Sequence, residues 1–308
     1  MSRLVVFGSI NIDLVVRVAA LPRPGETVLA PGYVAVAGGK GANQALAAAR
    51  AGATTHMVGC VGRDGYAEAA LATMRAAGVD LTGVAEVDEP TACAMIAVDT
   101  QGRNQIAVAS GANRFAKAGQ LDDALLGPGA TLLLQLEVDD VETAAVAARA
   151  RARGARVVLN AAPAAPLPAG LAEALDVLVV NEIEAPMLAD SAGIAHDDPI
   201  DAARRLAQSW DVATIVTLGA EGARAFDRGA AWRIGAMAIE PLDTTAAGDA
   251  FVGVLAAALD RGEVLPAALH AASIAGALAC QTVGAQPSLP DAAALAAARA
   301  RLAPAEAI

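Results

Sequence analysis

Short runs of apolar residues alternate along the chain with longer alanine-rich segments. Six apolar runs have the length and continuous hydrophobicity of strands buried on both faces, at residues 4–8, 56–61, 131–136, 156–160, 177–181 and 214–218. The segments between them have helix-compatible compositions, among them residues 65–77, 141–153, 201–210 and 249–260. Strands that alternate with helices are typical of a mostly parallel sheet covered on both faces. The sequence therefore predicts an α/β fold with a doubly wound, mostly parallel sheet.

Two pairs of short runs break this alternation. Residues 12–18 with 32–37, and residues 91–98 with 104–109, have the pattern of antiparallel strand pairs, the second pair joined by a turn at residues 99–102. We expect them to form a small sheet of residues 12–37 and 91–109. The α/β core would then comprise residues 1–11, 38–90 and 110–308.

Composition and charge narrow the function classes. Apolar residues make up 56% of the 308 residues and aromatic residues only 3%, which predicts a large core packed closely by alanine. The net charge of −11, without a basic stripe, disfavours nucleic-acid binding. No apolar stretch is long enough for a membrane span or a signal peptide, so we expect a cytoplasmic protein. The three cysteines and three histidines lack zinc-ligand spacing.

Residues 243–251 form the most informative segment, Asp-Thr-Thr-Ala-Ala-Gly-Asp-Ala-Phe. The small residues Ala246, Ala247 and Gly248 would let a phosphate approach the free N–H groups at a helix start, where the helix dipole favours negative charge. Asp249 would lie beside that phosphate, where a carboxylate can orient a substrate hydroxyl and accept its proton. An acidic residue is also common at an ordinary helix N-terminus, so this segment alone leaves both interpretations open.

A second glycine-rich turn occupies residues 38–45, Gly-Gly-Lys-Gly-Ala-Asn-Gln-Ala, before an alanine-rich run. Its glycines allow positive φ and close approach of the backbone to a ligand. Lys40 and Asn43 could bind hydroxyls or phosphates. The turn is not a Walker loop, because Gly41 follows Lys40 and the four-residue spacer is absent. A plain glycine turn at a helix start is the alternative.

In this order, the two turns resemble the ribokinase-like (PfkB) family of carbohydrate kinases. Further matching motifs extend the similarity from about residue 4 to about residue 290, at residues 8–13, 24–27, 135–137, 160–163, 181–184, 217–219 and 284–288. Each motif is weak alone, but their ordered occurrence is specific. The resemblance implies a kinase that uses ATP, Mg²⁺ and an activating K⁺. It also implies that the small sheet is a lid over the sugar and the interface of a homodimer.

The resemblance implies site residues position by position. Asp249 would be the catalytic base, with the anion hole formed by Ala246, Ala247 and Gly248. Sugar contacts would come from Asn11, Asp13, Gly39, Lys40, Gly41, Asn43, Glu137 and Asp249. The nucleotide would lie along Asn181, Thr217, Leu218, Gly219, Ala220, Glu221, Gly222 and Gly248. Glu184 would help to place Mg²⁺, and the monovalent cation would lie near Asp243, Thr245, Ala279, Thr282, Gly284 and Ser288.

Several residues also have purely structural interpretations. Asn181 and Glu184 could form a helix capping box. Glu137 could be an acid at a helix start, and Asp243 could cap its own turn. Asn11 and Asp13 could belong to a turn after the first strand.

We expect phosphoryl transfer to the primary hydroxyl, position 5, of D-ribose, with another sugar or a nucleoside as alternative substrates. A non-catalytic sugar-binding regulator of the same fold is the alternative from a different class. A Rossmann oxidoreductase is disfavoured, because the first strand is followed by Gly8-Ser9-Ile10-Asn11 and not by Gly-x-Gly-x-x-Gly.

Overall fold

The computed structural model describes residues 3–308. Residues 1 and 2, which belong to the predicted core, lie outside the described residues. The strands in chain order are β1 (Arg3–Phe7), β2 (Asn11–Arg17), β3 (Tyr33–Gly38), β4 (Thr55–Gly62), β5 (Asp80–Val87), β6 (Ala92–Val98), β7 (Asn104–Ala109), β8 (Ala130–Leu134), β9 (Arg156–Asn160), β10 (Val177–Asn181), β11 (Ala213–Thr217), β12 (Ala223–Asp227), β13 (Ala230–Ile234) and β14 (Glu306–Ala307).

Ten of these described strands form one large sheet, in the order β14-β13-β12-β11-β10-β9-β8-β1-β4-β5. The seven strands from β11 to β5 run parallel, and β12 to β14 add an antiparallel edge. All six predicted core strands are present in this sheet as β1, β4, β8, β9, β10 and β11. The predicted α/β fold is therefore confirmed.

Helices cover both faces of the large sheet. They are α1 (Lys40–Arg50), α2 (Ala67–Ala76), α3 (Asp140–Ala152), α4 (Leu171–Ala174), α5 (Glu184–Ser191), α6 (Pro199–Trp210), α7 (Ala247–Asp260), α8 (Leu265–Ala279), α9 (Ala285–Ser288) and α10 (Ala292–Ala298). Alternate β1 residues enter two cores: Leu4 and Val6 pack with α1, α2, α7 and α8, while Val5 and Phe7 pack with α3 to α6. Burial on both faces explains why the parallel strands are apolar throughout.

The small sheet has the order β3-β2-β6-β7. Both predicted antiparallel pairs, β2 with β3 and β6 with β7, are confirmed, and β2 joins the pairs through a parallel ladder with β6. Asn11 and Asp13 lie within β2 and not in a turn after β1. The side chains of this sheet include exposed large apolar residues, namely Tyr33, Val34, Met95, Ile106 and Val108.

Helices α1 and α7 pack unusually closely, and both begin at the carboxyl ends of the parallel strands. A Cβ on Gly253 of α7 would lie 2.5 Å from the carbonyl oxygen of Gln44 and 2.7 Å from the Cβ of Ala47. The missing side chain thus sets the separation of the two helices. This contact also sets the distance between Asn43 on α1 and Asp249 on α7.

We expect Gly253→Ala to lower the free energy of unfolding by about 1–3 kcal/mol, because overpacking outweighs a gain in helix propensity of up to about 1 kcal/mol. Urea denaturation measures the change. Gly65→Ala is the control, since a Cβ there meets nothing within 4 Å. Equal stability of Gly253→Ala and the unsubstituted protein would contradict the close-packing account.

Candidate active site

Asp249 lies in the first turn of α7 and is 9% exposed. Its two carboxylate oxygens accept separate side-chain hydrogen bonds. Asn43 Nδ2 donates to Oδ2 at 2.9 Å, and Gln44 Nε2 donates to Oδ1 at 2.9 Å. The glycine-rich turn at residues 38–45 and the segment at residues 243–251 therefore meet at this carboxylate, more than 200 residues apart in sequence.

The residues before Asp249 have the geometry of an anion-binding helix start. Ala246, the N-cap of α7, has a left-handed backbone with φ 59°. A Cβ on Gly248 would meet no atom within 4 Å, so open space lies above that backbone. The N–H groups of a first helical turn lack intrahelical acceptors. The Ala247 N–H donates to the Thr244 carbonyl at 3.2 Å, so a phosphate would compete with that bond.

A cavity of about 150 Å³ opens at this helix start. Seven of its lining residues belong to the predicted site, namely Lys40, Asn181, Glu184, Thr217, Ala246, Gly248 and Asp249. The other five were not predicted, namely Asn160, Ala162, Val179, Val180 and Val252. The strand residues of the lining come from the carboxyl ends of β9, β10 and β11. The cavity therefore has the position expected of a ligand site in an open α/β sheet.

The glycine-rich turn packs directly against the residues that follow β1. A Cβ on Gly39, which has φ 90°, would lie 2.8 Å from the Asn11 backbone nitrogen. A Cβ on Gly41 would lie 2.6 Å from the Ser9 backbone nitrogen. No side chain fits at either position, which explains the glycines without reference to a ligand.

Glu137 belongs to the same region. Its Oε2 accepts hydrogen bonds from Ser9 Oγ at 2.6 Å and from the Lys40 backbone nitrogen at 3.2 Å. The N-cap of α3 is Asp139, which accepts bonds from Val141 N and Glu142 N. The alternative of Glu137 as the acid that caps α3 is therefore wrong.

Asn11 is buried and held by a residue that the sequence analysis did not identify. Asn113 Nδ2 donates to Asn11 Oδ1 at 2.8 Å, and the Ile10 backbone N–H donates to Asn113 Oδ1 at 3.0 Å. The bond from Asn113 fixes the Asn11 oxygen as an acceptor and so orients its amide nitrogen, which can only donate. Ser9 was missed in the same way, since its contact with Glu137 spans 128 residues.

The acidic side chains around the cavity perturb one another. Burial, followed by Glu137 and Asp249, raises the pKa of Asp13 to about 6. Burial also raises the pKa of Asp249, and Lys40, Asn43 and Gln44 offset only part of that effect. Perturbed acids that converge on a cavity are typical of a functional site.

Lys40 is the cation that faces this acidic cluster. Burial alone would lower the pKa of Lys40, but Asp249, Glu137 and Glu184 together raise it. The side chain therefore stays protonated in a cavity otherwise rich in carboxylates. A protonated amine there can bind a phosphoryl group or a hydroxyl.

Asn181 and Glu184 form the reciprocal bonds of a capping box. Asn181 Oδ1 accepts from Glu184 N at 2.8 Å, and Glu184 Oε2 accepts from Asn181 N at 2.9 Å. Both residues also line the cavity, so the structural and ligand-binding interpretations coexist. Burial raises the pKa of Glu184, and a nearby cation would favour its ionised form.

Residues 217–222 make a tight turn at the end of β11. The Leu218 N–H donates to the Gly222 carbonyl at 2.8 Å, and Gly219–Glu221 forms one 3-10 turn. Thr217 lines the cavity, whereas Leu218 is buried. A Cβ on Gly222 would lie 2.0 Å from the Ile234 carbonyl oxygen, so this glycine is required by the β12–β13 packing.

The two predicted cation-site segments are adjacent. Asp243 Oδ2 accepts from the Gly284 N–H at 2.8 Å, and Oδ1 accepts from Thr245 N and Thr245 Oγ1. Burial alone would raise the pKa of Asp243, but these bonds outweigh it and hold the pKa below its ordinary value. Asp243 therefore caps its own turn, as the structural interpretation predicts. In the second segment, residues 279–288, the Thr282 N–H donates to the Ala279 carbonyl and Ser288 Oγ donates to the Ala285 carbonyl.

Between residues 3 and 308 there is no group of three or more His, Cys, Asp or Glu side chains able to hold a metal ion. The three cysteines are free. None of the helices in this range combines the length and apolar character needed to cross a membrane.

Comparisons with known proteins identify the family of the chain. The family model described as pfkB family carbohydrate kinase matches residues 1–292. The chain is 34% identical to ribokinase of Haemophilus influenzae over 290 residues, covering 93% of this chain and 95% of that protein.

Two solved structures are similar over nearly the whole chain. The crystal structure of ribokinase from Thermotoga maritima has a TM-score of 0.88 and 32% identity, covering 96% of this chain and 99% of that one. Ribokinase of Arabidopsis thaliana complexed with ribose and ATP has a TM-score of 0.86 and 30% identity, covering 97% and 98%. The predicted family is confirmed: the chain belongs to the pfkB family of carbohydrate kinases.

Proposed function

We propose that this chain is an ATP-dependent ribokinase that phosphorylates the 5-hydroxyl of D-ribose. The observation that carries the proposal is the buried Asp249 carboxylate, set at a helix start beside Gly248 and the cationic Lys40 in one cavity. A base, an anion-binding backbone and a cation are the groups that phosphoryl transfer to an alcohol requires. The three similar proteins described above are named ribokinase, which supports ribose as the sugar.

Sugar recognition rests on polar groups beneath the lid. Asn11 offers a donor, Asp13 an acceptor, and Asn43 a buried Oδ1 that has no hydrogen-bond partner among the described residues. A buried amide oxygen without a partner is costly unless a ligand supplies the donor. Glu137 and the backbone of Gly39, Lys40 and Gly41 complete the proposed contacts.

The nucleotide would lie along residues 217–222, with its γ-phosphoryl group over the backbone of Ala246, Ala247 and Gly248. Asn181 and Glu184 would face its phosphates. The part-buried Glu184 carboxylate suits Mg²⁺, which protein sites commonly bind through one or two carboxylates together with substrate phosphates. When bound, Mg²⁺ supplies neutralisation of the phosphate charge.

In the reaction, Asp249 orients the primary hydroxyl and accepts its proton as the oxygen attacks the γ-phosphorus atom. The bond from that phosphorus to the β,γ-bridging oxygen breaks, and ADP leaves. An ordinary aspartate has a pKa of about 3.9 and is a weak base. The raised pKa of Asp249 makes it a better one. Weak basicity also suffices, because in a loose transition state the proton leaves late. The helix-start N–H groups stabilise the charge on the transferred group.

The test is a panel of sugars and nucleosides with ATP and Mg²⁺, with the position of the new phosphate located by NMR. Ribose should give the highest kcat/KM and a 5-phosphate product. A higher kcat/KM for another sugar or a nucleoside would replace ribose as the substrate. Absence of phosphoryl transfer to every compound in the panel would favour a non-catalytic sugar-binding regulator.

We expect Asp249→Asn to lower kcat by at least about 10²–10⁴-fold, because the proton acceptor is lost while the side-chain volume is kept. Steady-state kinetics measures this, and calorimetry checks that sugar binding remains. Asp260→Asn is the control, since Asp260 is also a buried acid on α7 but lies at its other end. A near-normal kcat for Asp249→Asn would remove the assignment of the base.

Asp13 should make sugar binding depend on pH. With a pKa of about 6, the carboxyl group becomes protonated below that pH and loses its acceptor role. KM for the sugar should therefore rise as the pH falls through about 6. Asp13→Asn should weaken sugar binding more than about tenfold at pH 8, from a lost charged hydrogen bond, and flatten this pH dependence. An unchanged KM between pH 5 and pH 8 would contradict the role of Asp13.

The same pKa predicts that the stability of the unliganded protein falls as the pH rises, whereas sugar binding improves. The pKa of Asp13 is about 6 in the folded chain against an ordinary 3.8, so its ionisation disfavours folding. The resulting penalty, up to about 3 kcal/mol, develops between pH 4 and pH 6 and is complete above pH 6. Asp13→Asn should stabilise the unliganded protein against urea at pH 8 but not at pH 4.

A monovalent cation would act near Asp243. Both Asp243 oxygens already accept N–H or O–H bonds, so backbone carbonyls would supply the ligands and Asp243 the charge. Activity should rise severalfold when K⁺ replaces tetramethylammonium at constant Mg²⁺ and ionic strength. Asp243→Ala should abolish the rise. Equal rates in both salts would mean that no such site operates.

We also propose that residues 12–37 and 91–109 form a lid that pairs two copies of the chain. One face of the small sheet holds an apolar groove of about 510 Å³, lined by Leu14, Val16, Tyr33, Met95 and Ile106 among others. An exposed sheet face of this kind requires a cover, and a twofold dimer is the commonest solution. Sedimentation should give a dimer at micromolar concentration, and Met95→Glu should yield monomers. A fully active monomer at that concentration would overturn the lid interface.

We expect the enzyme to work in the cytoplasm, where ATP is available and the three free cysteines stay reduced. Cell fractionation that recovers the protein outside the cytoplasm would contradict this.

A further inference from the structure

We propose that Gln44 and Gln135 form a relay that orients the Asp249 carboxylate, an inference that rests on the proposed catalytic role of Asp249. Neither glutamine lines the cavity, so both are positioning residues. They belong to the motifs at residues 38–45 and 135–137. Other residues of these motifs have roles in the proposed reaction, but the two glutamines do not. The relay is the part of the site that faces the protein interior.

The relay is a continuous chain of buried side-chain amides. Gln135 Nε2 donates to Gln44 Oε1 at 2.7 Å, and Gln44 Nε2 donates to Asp249 Oδ1 at 2.9 Å. Gln44 Nε2 also donates to Asn160 Oδ1 at 2.9 Å. Gln44 and Gln135 are each 0% exposed, so bulk solvent does not reach these side chains. The chain joins α1, α7 and the ends of β8 and β9.

Two acceptors, the Asp249 carboxylate and the Val179 carbonyl, determine which way each side-chain amide of the relay is oriented. An ionised carboxylate only accepts hydrogen bonds, so Gln44 must present its nitrogen to Asp249. Asn160 Nδ2 donates to the Val179 carbonyl at 3.3 Å, so its oxygen faces Gln44. The Gln44 oxygen then points to Gln135, which must present its own nitrogen. The network is therefore matched to the anionic form of Asp249.

Gln135 is itself held in place by the absence of a side chain at Gly8. A Cβ on Gly8 would lie 1.9 Å from Gln135 Oε1, so the amide fills that space at the end of β1. Gln135 Oε1 has no hydrogen-bond partner within the described chain. A buried amide that leaves its oxygen unpaired, yet donates to Gln44, indicates that the donor is the required group.

Loss of the relay would change both the position and the acidity of Asp249. The charged groups that face Asp249 are Lys40 from α1, Asp13 from β2, Glu184 from α5, and Glu137 after β8. Hydrogen bonds from Asn43 and Gln44 favour its ionised form against burial. Without the hydrogen bond from Gln44, the Asp249 carboxylate could also rotate, and the oxygen that accepts the proton would no longer point at the hydroxyl.

The test is the pH dependence of kcat at saturating sugar and ATP, which reports groups in the enzyme–substrate complex and excludes the effect of Asp13 on sugar affinity. Gln44→Met removes the donor to Asp249. In this variant the acidic limb of the pH profile of kcat should move to higher pH by about one unit or more, because a hydrogen bond to a charged group corresponds to about that change in pKa. Gln135 donates to Gln44 and not to Asp249, so Gln135→Met should move the limb in the same direction by less. In the double variant, Gln135→Met should add no further displacement, because it acts through Gln44.

Gln120→Met is the matched control. Gln120 bridges the carbonyls of Gly59 and Gly83 at 2.7 Å and 3.1 Å, away from Asp249. It should lower thermal stability without moving the acidic limb. If Gln135→Met and Gln44→Met lower stability or kcat but leave the limb at its original pH, the relay is merely structural and the inference is wrong. Absence of phosphoryl transfer in the unsubstituted protein would instead refute the proposed function.

Discussion

The site depends on keeping one carboxylate, that of Asp249, buried at the start of a helix. Removing a charge from water is expensive unless hydrogen bonds replace the lost hydration. Asn43 and Gln44 provide those bonds from α1, and the N-terminus of α7 adds a favourable dipole. Their placement requires α1 and α7 to approach closely, which the missing side chain of Gly253 allows. Packing between two helices thus determines how this carboxylate is held.

The parallel sheet brings the other groups to the same place. Strands β1, β8, β9, β10 and β11 are consecutive parallel strands and end at one edge of the sheet. Asn160, Asn181 and Thr217, the last residues of β9, β10 and β11, line the cavity. The small sheet adds Asp13, whose pKa is raised in part by Glu137 and Asp249. Three further carboxylates around Asp249 would be mutually repulsive, and Lys40 lies among them as the compensating cation.

The sequence predicts most of the fold because buried parallel strands are continuous apolar runs. Strands β5, β12, β13 and β14 lie towards the edges, carry mixed polar and apolar residues, and so escaped prediction. Asp249, Gly248 and the glycine-rich turn could be identified because their small residues and spacing are unusual. Gly39 and Gly41 turned out to be required by close backbone packing as well.

The supporting residues could not be found in this way. Gln44 contacts Gln135, Asn160 and Asp249 at separations of 91, 116 and 205 residues. Ser9 and Asn113 are likewise explained only by distant partners. Their residue types are common, and their roles follow from tertiary contacts rather than from any local pattern.

A crystal structure with ribose and a non-hydrolysable ATP analogue tests the central claim most directly. The account predicts the ribose 5-hydroxyl within hydrogen-bond distance of an Asp249 oxygen, with the γ-phosphate above the backbone of Gly248. A sugar whose 5-hydroxyl lies away from Asp249, or a γ-phosphate outside the α7 helix start, would contradict it.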